Sequence, residues 1–142
     1  MNESTSSRRL QRVFAARATS ASDARAFASA VLSQDVADGK IDAAIVDTVR
    51  LVVSELVSNA VQHGQRDDEV RVAFDLSDER CLVIEVAGGR RLPADRADPA
   101  GWKIAPPDGA SGRGLGIVRS LVDDVHAATI DGVVVVRCGV AR

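Results

Sequence analysis

The sequence predicts an α/β two-layer sandwich: a mixed, mainly antiparallel sheet covered on one face by three helices. Three observations lead there. Apolar residues recur at helical spacing in three stretches and alternate with polar residues in segments between them. Two pairs of strand-like segments are joined by short polar turns, the second through Asp131-Gly132, a strong two-residue hairpin signal. The resulting order, β-α-α-β-β-α-β-β, joins strands by hairpins where an all-parallel sheet would need helical crossovers.

Taken in order, residues 1–9 are a polar, Ser/Arg-rich tail expected to be disordered, and 10–142 a single domain. Leu10 to Ala18 reads as a first strand, with Val13 and Phe14 its main apolar residues. Ser20-Ala21-Ser22-Asp23 fits a capping box. Ala24, Phe27, Ala28, Val31 and Leu32 then follow at helical spacing, to about Gln34. Asp38-Gly39 breaks the chain. A longer helix is expected from about Ile41 to His63, with Ile41, Ile45, Val49, Val52 and Leu56 as its core stripe and Gly64 as its C-cap. Glu69 to Leu76 alternates as a half-buried strand does, and Cys81 to Val86 is its hairpin partner across Ser77-Asp78-Glu79-Arg80. Residues 87–111 have no period and hold all four prolines and the single tryptophan, Trp102. Two readings are open for them: a functional lid, over about 88–111, or a disordered insertion. A third helix follows, with Leu115, Val118, Leu121, Val122 and Val125 apolar. His126 to Ile130 and Val133 to Val140 are the last two strands.

Composition narrows the function classes. The 142 residues fit one domain, and 46% are hydrophobic, enough for a core. With three Phe, one Trp and no Tyr, that core is mainly aliphatic. The net charge of −2 and the scattered arginines give no concentrated basic face, so no direct nucleic-acid partner is expected. No apolar run approaches the ~20 residues of a membrane span. The N-terminus lacks a signal-peptide core, so a soluble, cytoplasmic protein without membrane contact is expected. Cys81 and Cys138 lie in apolar strands and read as buried free thiols.

Two features carry chemistry. On the long helix, Glu55, Asn59 and His63 recur every four residues and form one polar stripe flanked by apolar positions. The pattern fits a solvated face closed by a glycine. It also fits a ligand-facing line in which a carboxylate and a carboxamide hold a metal ion or orient a water. The second feature is Gly112-Arg113-Gly114-Leu115-Gly116 at a helix start. Glycines there let backbone amides approach an anion such as phosphate, and a hinge with packing glycines would read the same way. The run is G-x-G-x-G after a loop, so it is neither the Rossmann fingerprint nor a Walker A motif.

In this order, the polar stripe, hairpin, aperiodic segment and glycine run resemble the ATP-binding domain of the gyrase, histidine-kinase and MutL superfamily (GHKL), the Bergerat fold. Within it, Ser54-Glu55-Leu56-Val57-Ser58-Asn59-Ala60-Val61-Gln62-His63-Gly64 and Gly112-Arg113-Gly114-Leu115-Gly116-Ile117-Val118 are similar to the signatures of bacterial anti-sigma-factor serine kinases. The resemblance implies that ATP binds with Mg²⁺, that Asn59 ligates the metal, and that Glu55 is the general base for a protein serine. It implies that Gly112, Arg113, Gly114, Leu115 and Gly116 wrap the phosphates, and that Gly88 lies on the base side. The partners it implies are a sigma factor and an anti-sigma-factor antagonist, with a possible homodimer.

Two departures stand beside it. The acid that reads the adenine amino group in this family is missing from Ala87-Gly88-Gly89, and no hydroxyl stands in Val133-Val134-Val135 of the final hairpin. Losing one hydrogen bond to a charged group costs about 1.5–3 kcal/mol. The alternative they raise is a nucleotide-binding-deficient member of the same fold that acts by protein contact.

Overall fold

The computed structural model describes residues 8–65, 67–90, 99 and 113–142. Its elements follow the expected order: β1 (Arg9–Ala15), α1 (Ser20–Ala37), α2 (Ala43–Gln62), β2 (Glu69–Asp75), β3 (Cys81–Ala87), α3 (Arg113–Leu121), β4 (Asp124–Ile130) and β5 (Val133–Ala141). The five strands form one sheet in the order β1-β2-β3-β5-β4. Every pairing in it is antiparallel, so the sheet is not mixed among the described residues.

One sheet face is apolar because alternate residues of each strand point the same way. Val70, Val72 and Phe74 of β2, Leu82, Ile84 and Val86 of β3, and Val134, Val136, Cys138 and Val140 of β5 are all buried. Val49, Val52, Val53, Leu56, Val57 and Ala60 of α2 pack on this face, and so do Leu115 and Val118 of α3. Each fully buried Val or Leu contributes about 1.5–3 kcal/mol. Helices on one side and an open face on the other make the two-layer sandwich. Ala24 and Ala28 of α1 are fully buried. Where α1 meets α2, Arg25 donates to Ser54 Oγ at 2.7 Å and Arg50 to Ser29 Oγ at 3.0 Å. All three phenylalanines gather where α1 meets β1 and β2: the Phe27 ring lies 6.2 Å from Phe14 and 5.5 Å from Phe74.

Several local expectations change. Ser20 does not open a capping box. It is the first residue of α1 and is buried; its hydroxyl donates to the Ala15 carbonyl and accepts the Arg17 N–H. Burial against the end of β1 turns it toward the connection rather than the helix. Asp42, unremarked in the sequence, caps α2 by accepting from Ala44 N–H at 3.1 Å. Gly64 is not a left-handed C-cap; the cap of α2 is His63, at φ −99°. A glycine is still needed at 64, because a Cβ there would stand 2.9 Å from the Ala60 carbonyl oxygen. Among the described residues the left-handed glycines are elsewhere, at Gly39 after α1, Gly89 after β3 and Gly132 in the β4–β5 turn.

Arg8 and Arg9, placed with the tail on sequence grounds, belong to the fold. Arg9 pairs with Asp75 as β1 meets β2. Arg8 donates to the buried Asp35 carboxylate at 3.0 and 3.2 Å, and Arg142 donates to it at 2.9 Å. Residues 1–7 lie outside the described residues, as does most of the proposed lid, including Trp102. Cys81 is half-buried and Cys138 buried, both as free thiols. Burial first, and then Asp124, push the Cys138 thiol up to about 12.

Candidate functional site

Glu55 of the polar stripe and Gly114 of the glycine run, 59 positions apart in sequence, meet in space. Glu55 and Asn59 sit on the α2 flank that faces α3, both half-buried. Their Cβ atoms lie roughly 5–6 Å apart, as positions four residues apart on a helix do. Among the described residues neither side chain has a hydrogen-bond partner, which leaves a carboxylate and a carboxamide available to a ligand. Gly114 lies in the first turn of α3, directly against Glu55. A Cβ on Gly114 would collide with Glu55 Oε2 and stand 3.3 Å from its Cδ. The glycine therefore lets the carboxylate lie along the helix start, where the partial positive charge of the amide groups favours anions.

The rest of the expected set divides. Leu115 is buried with its side chain in the core, so only its backbone faces outward work. Gly116 is buried inside α3. Arg113 begins α3, and Gly112 lies outside the described residues. His63 closes α2: its N–H donates to the Asn59 carbonyl at 3.0 Å and its carbonyl accepts from Arg90 N–H at 3.2 Å. Its ring Nε2 is buried without a partner among the described residues.

At the other end of the stripe, Gly88 and Gly89 pack on α2 just beyond Asn59. A Cβ on Gly88 would stand 3.1 Å from both Ala60 Cβ and Val70 Cγ2. Gly89, at φ +80°, turns the chain back over Ala60 and His63. Arg90 then pairs with Asp68 at 2.8 and 3.1 Å. Sequence reasoning missed this clasp, whose partners are 22 residues apart. The Arg90 guanidinium first, and then the Gln65 N–H, hold the Asp68 carboxyl down at about 2.

The donor set can be tested against Mg²⁺ and a phosphate chain. Among the described residues no group of three or more His, Cys, Asp and Glu could hold a metal by itself. Magnesium commonly binds through one or two protein oxygens plus phosphate oxygens and waters, so a single Asn59 oxygen fits its chemistry. The bare Cα of Gly114 leaves a space at the start of α3 that the Glu55 carboxylate already occupies. Asn59 therefore fits the metal, and the backbone amides at the start of α3 are the groups present for a phosphate. The base end, at Gly88, offers no side chain.

The family model for the histidine kinase-like ATPase domain matches residues 14–138. The chain belongs to this family. Its fold and its place in the GHKL superfamily agree with structural neighbours. The structure of the RsbU and RsbW domains of Rv1364c from Mycobacterium tuberculosis matches with TM-score 0.63 and 18% identity over 95% of this chain. The present chain spans only about a third of that neighbour, 33% of its length. The catalytic domain of histidine kinase ThkA, in a nucleotide-free form, matches with TM-score 0.56 and 12% identity over 93% of this chain and 97% of that one. A second nucleotide-free ThkA structure gives TM-score 0.55 with the same identity and coverage, 12%, 93% and 97%. No curated protein matches the chain. No helix among the described residues is long and apolar enough to cross a membrane.

Gly114→Ala is expected to leave the urea midpoint nearly unchanged. Alanine's helix preference, about 1 kcal/mol over glycine, offsets the cost of moving the flexible end of Glu55. The same change displaces the carboxylate, so any turnover that depends on Glu55 should fall. A destabilisation as large as that of a core truncation would mean that the new methyl group strikes backbone instead.

Proposed function

We propose that this chain is an anti-sigma-factor-like regulator that binds ATP with Mg²⁺ and phosphorylates a serine of an anti-sigma-factor antagonist, while also binding a sigma factor. The observation that carries the proposal is the meeting of Glu55 and Gly114 one helical turn from Asn59. A neighbour whose structure includes an RsbW domain supports the regulatory side. A cytoplasmic setting and a homodimer belong to the same proposal.

In this reading Asn59 holds the metal through its amide oxygen. Magnesium, when bound, supplies charge neutralisation to the phosphates. The first-turn amides around Gly114 favour the phosphate chain, with Gly112, Arg113 and Gly116 extending the run. Glu55 accepts the serine hydroxyl proton as the serine oxygen bonds to the γ-phosphorus and the bond to the ADP oxygen breaks.

Calorimetry with ATP, with and without Mg²⁺, tests the proposal. The expected result is Mg²⁺-dependent binding, with the Mg²⁺-dependent part lost in Asn59→Ala. Unchanged Mg²⁺ dependence in that variant removes Asn59 from the site. Absence of binding at millimolar ATP overturns the kinase reading and leaves the second one, a nucleotide-binding-deficient regulator acting by protein contact. Gly88 is the observation that favours that second reading, because no side chain stands where β3 approaches α2.

A further inference from the structure

Gly88 stands where a side chain from β3 would enter the site. The helix-facing residues of β3 are Leu82, Ile84 and Val86, all buried in the core. The two-residue alternation of a strand carries that face on to position 88. Ala87 belongs to the opposite face, opposite Arg71 on one side and Val135 on the other. The position that matters for a ligand is therefore Gly88 and not Ala87. It has no side chain and little room for one, with Ala60 Cβ and Val70 Cγ2 each 3.1 Å from where a Cβ would stand.

The backbone here is engaged as well. Gly88 N–H donates to the Val134 carbonyl at 2.9 Å, and Val134 N–H donates to the Gly89 carbonyl at 3.0 Å. Arg90 N–H is held by the His63 carbonyl, and the Arg90 side chain by Asp68. The His63 Nε2 has no partner among the described residues but is buried, out of a ligand's reach. Among the described residues this wall thus presents apolar carbon and largely engaged backbone, whereas Glu55 and Asn59 concentrate the available polar atoms at the other end. Purine and pyrimidine bases differ chiefly in the donors and acceptors along their edges. Strong discrimination needs a site group that bonds one edge and is left unpaired by another.

We infer that the site selects the metal-bound phosphate chain and does not read the base: it takes a nucleoside triphosphate of any base with similar affinity. The inference rests on the nucleotide reading above and specifies its ligand. The test is calorimetry on the full chain with MgCl₂ and, separately, ATP, GTP, CTP and inorganic tripolyphosphate. The three nucleotides are expected to bind within about threefold of one another, since one missing edge contact removes a preference of about tenfold or more. Asn59→Ala should weaken all three by the same factor, which assigns the heat to this site. A preference for ATP of tenfold or more overturns the inference and leaves the kinase reading standing. Binding of tripolyphosphate without any nucleotide also overturns it. Failure of all four ligands overturns the inference together with the kinase reading.

Discussion

Asp35→Ala is expected to destabilise the fold by about 3–5 kcal/mol, the usual cost of leaving a buried charge without its partner. Asp35 is 1% exposed and accepts hydrogen bonds from Arg8 and Arg142. The Arg142 side chain is itself only 2% exposed. It also donates to the Leu76 and Asp78 carbonyls, so α1, β1 and the β2–β3 turn all meet at one carboxylate. Removing that carboxylate strands the Arg142 guanidinium. A urea titration followed by circular dichroism measures the loss. A change below about 0.5 kcal/mol, typical of an exposed pair, would show that the pair adds nothing.

The same carboxylate predicts a pH dependence. The hydrogen bond from Arg8, and after it the one from Arg142, hold the Asp35 carboxyl below the usual carboxylate range, against the opposing effect of burial. A depressed folded-state value means that the unfolded chain binds the proton more readily. The stabilisation is therefore fully present above pH about 4, the ordinary aspartate value, and is lost as pH falls through the lower folded-state value. The urea midpoint should decline below pH about 4, and Asp35→Asn should decline less steeply. Equal acid slopes in the two proteins would assign the effect to other carboxylates.

Glu55→Gln carries the second large effect, on chemistry rather than folding. On the proposed kinase reading, the amide keeps the shape of the side chain and removes the base. Phosphoryl transfer from Mg-ATP should fall by about 10²–10⁴-fold, the usual contribution of a general base. Calorimetry on the same variant should give nearly unchanged Mg-ATP affinity, because the proposal gives the metal to Asn59. A turnover loss that follows an equal loss of affinity would make Glu55 a binding group. Unchanged turnover would remove it from the reaction.

Much of this was legible in the chain. The helices and strands rest on periodicities of two and of three to four residues, which are local properties of the sequence. Asp131-Gly132 was legible for the same reason: a two-residue hairpin turn requires positive φ, and the structure has φ 51° and 78° there. The likeness of Glu55 and Asn59 to one face of a helix is also local, and a family model over residues 14–138 agrees with what the motifs suggested.

What the sequence by itself determined was the order of elements, the apolar face of each, and a polar stripe with a glycine run set aside for some purpose. The tertiary structure alone decided which of these features touch. It brought Gly114 against Glu55, and it joined Asp35 to Arg8 across 27 positions and to Arg142 across 107. It also packed Gly88, the residue just past β3, against Ala60 of α2 and Val70 of β2. Those outcomes depend on how sheet and helices close over a shared core, and contacts of that separation leave no periodic trace along the chain.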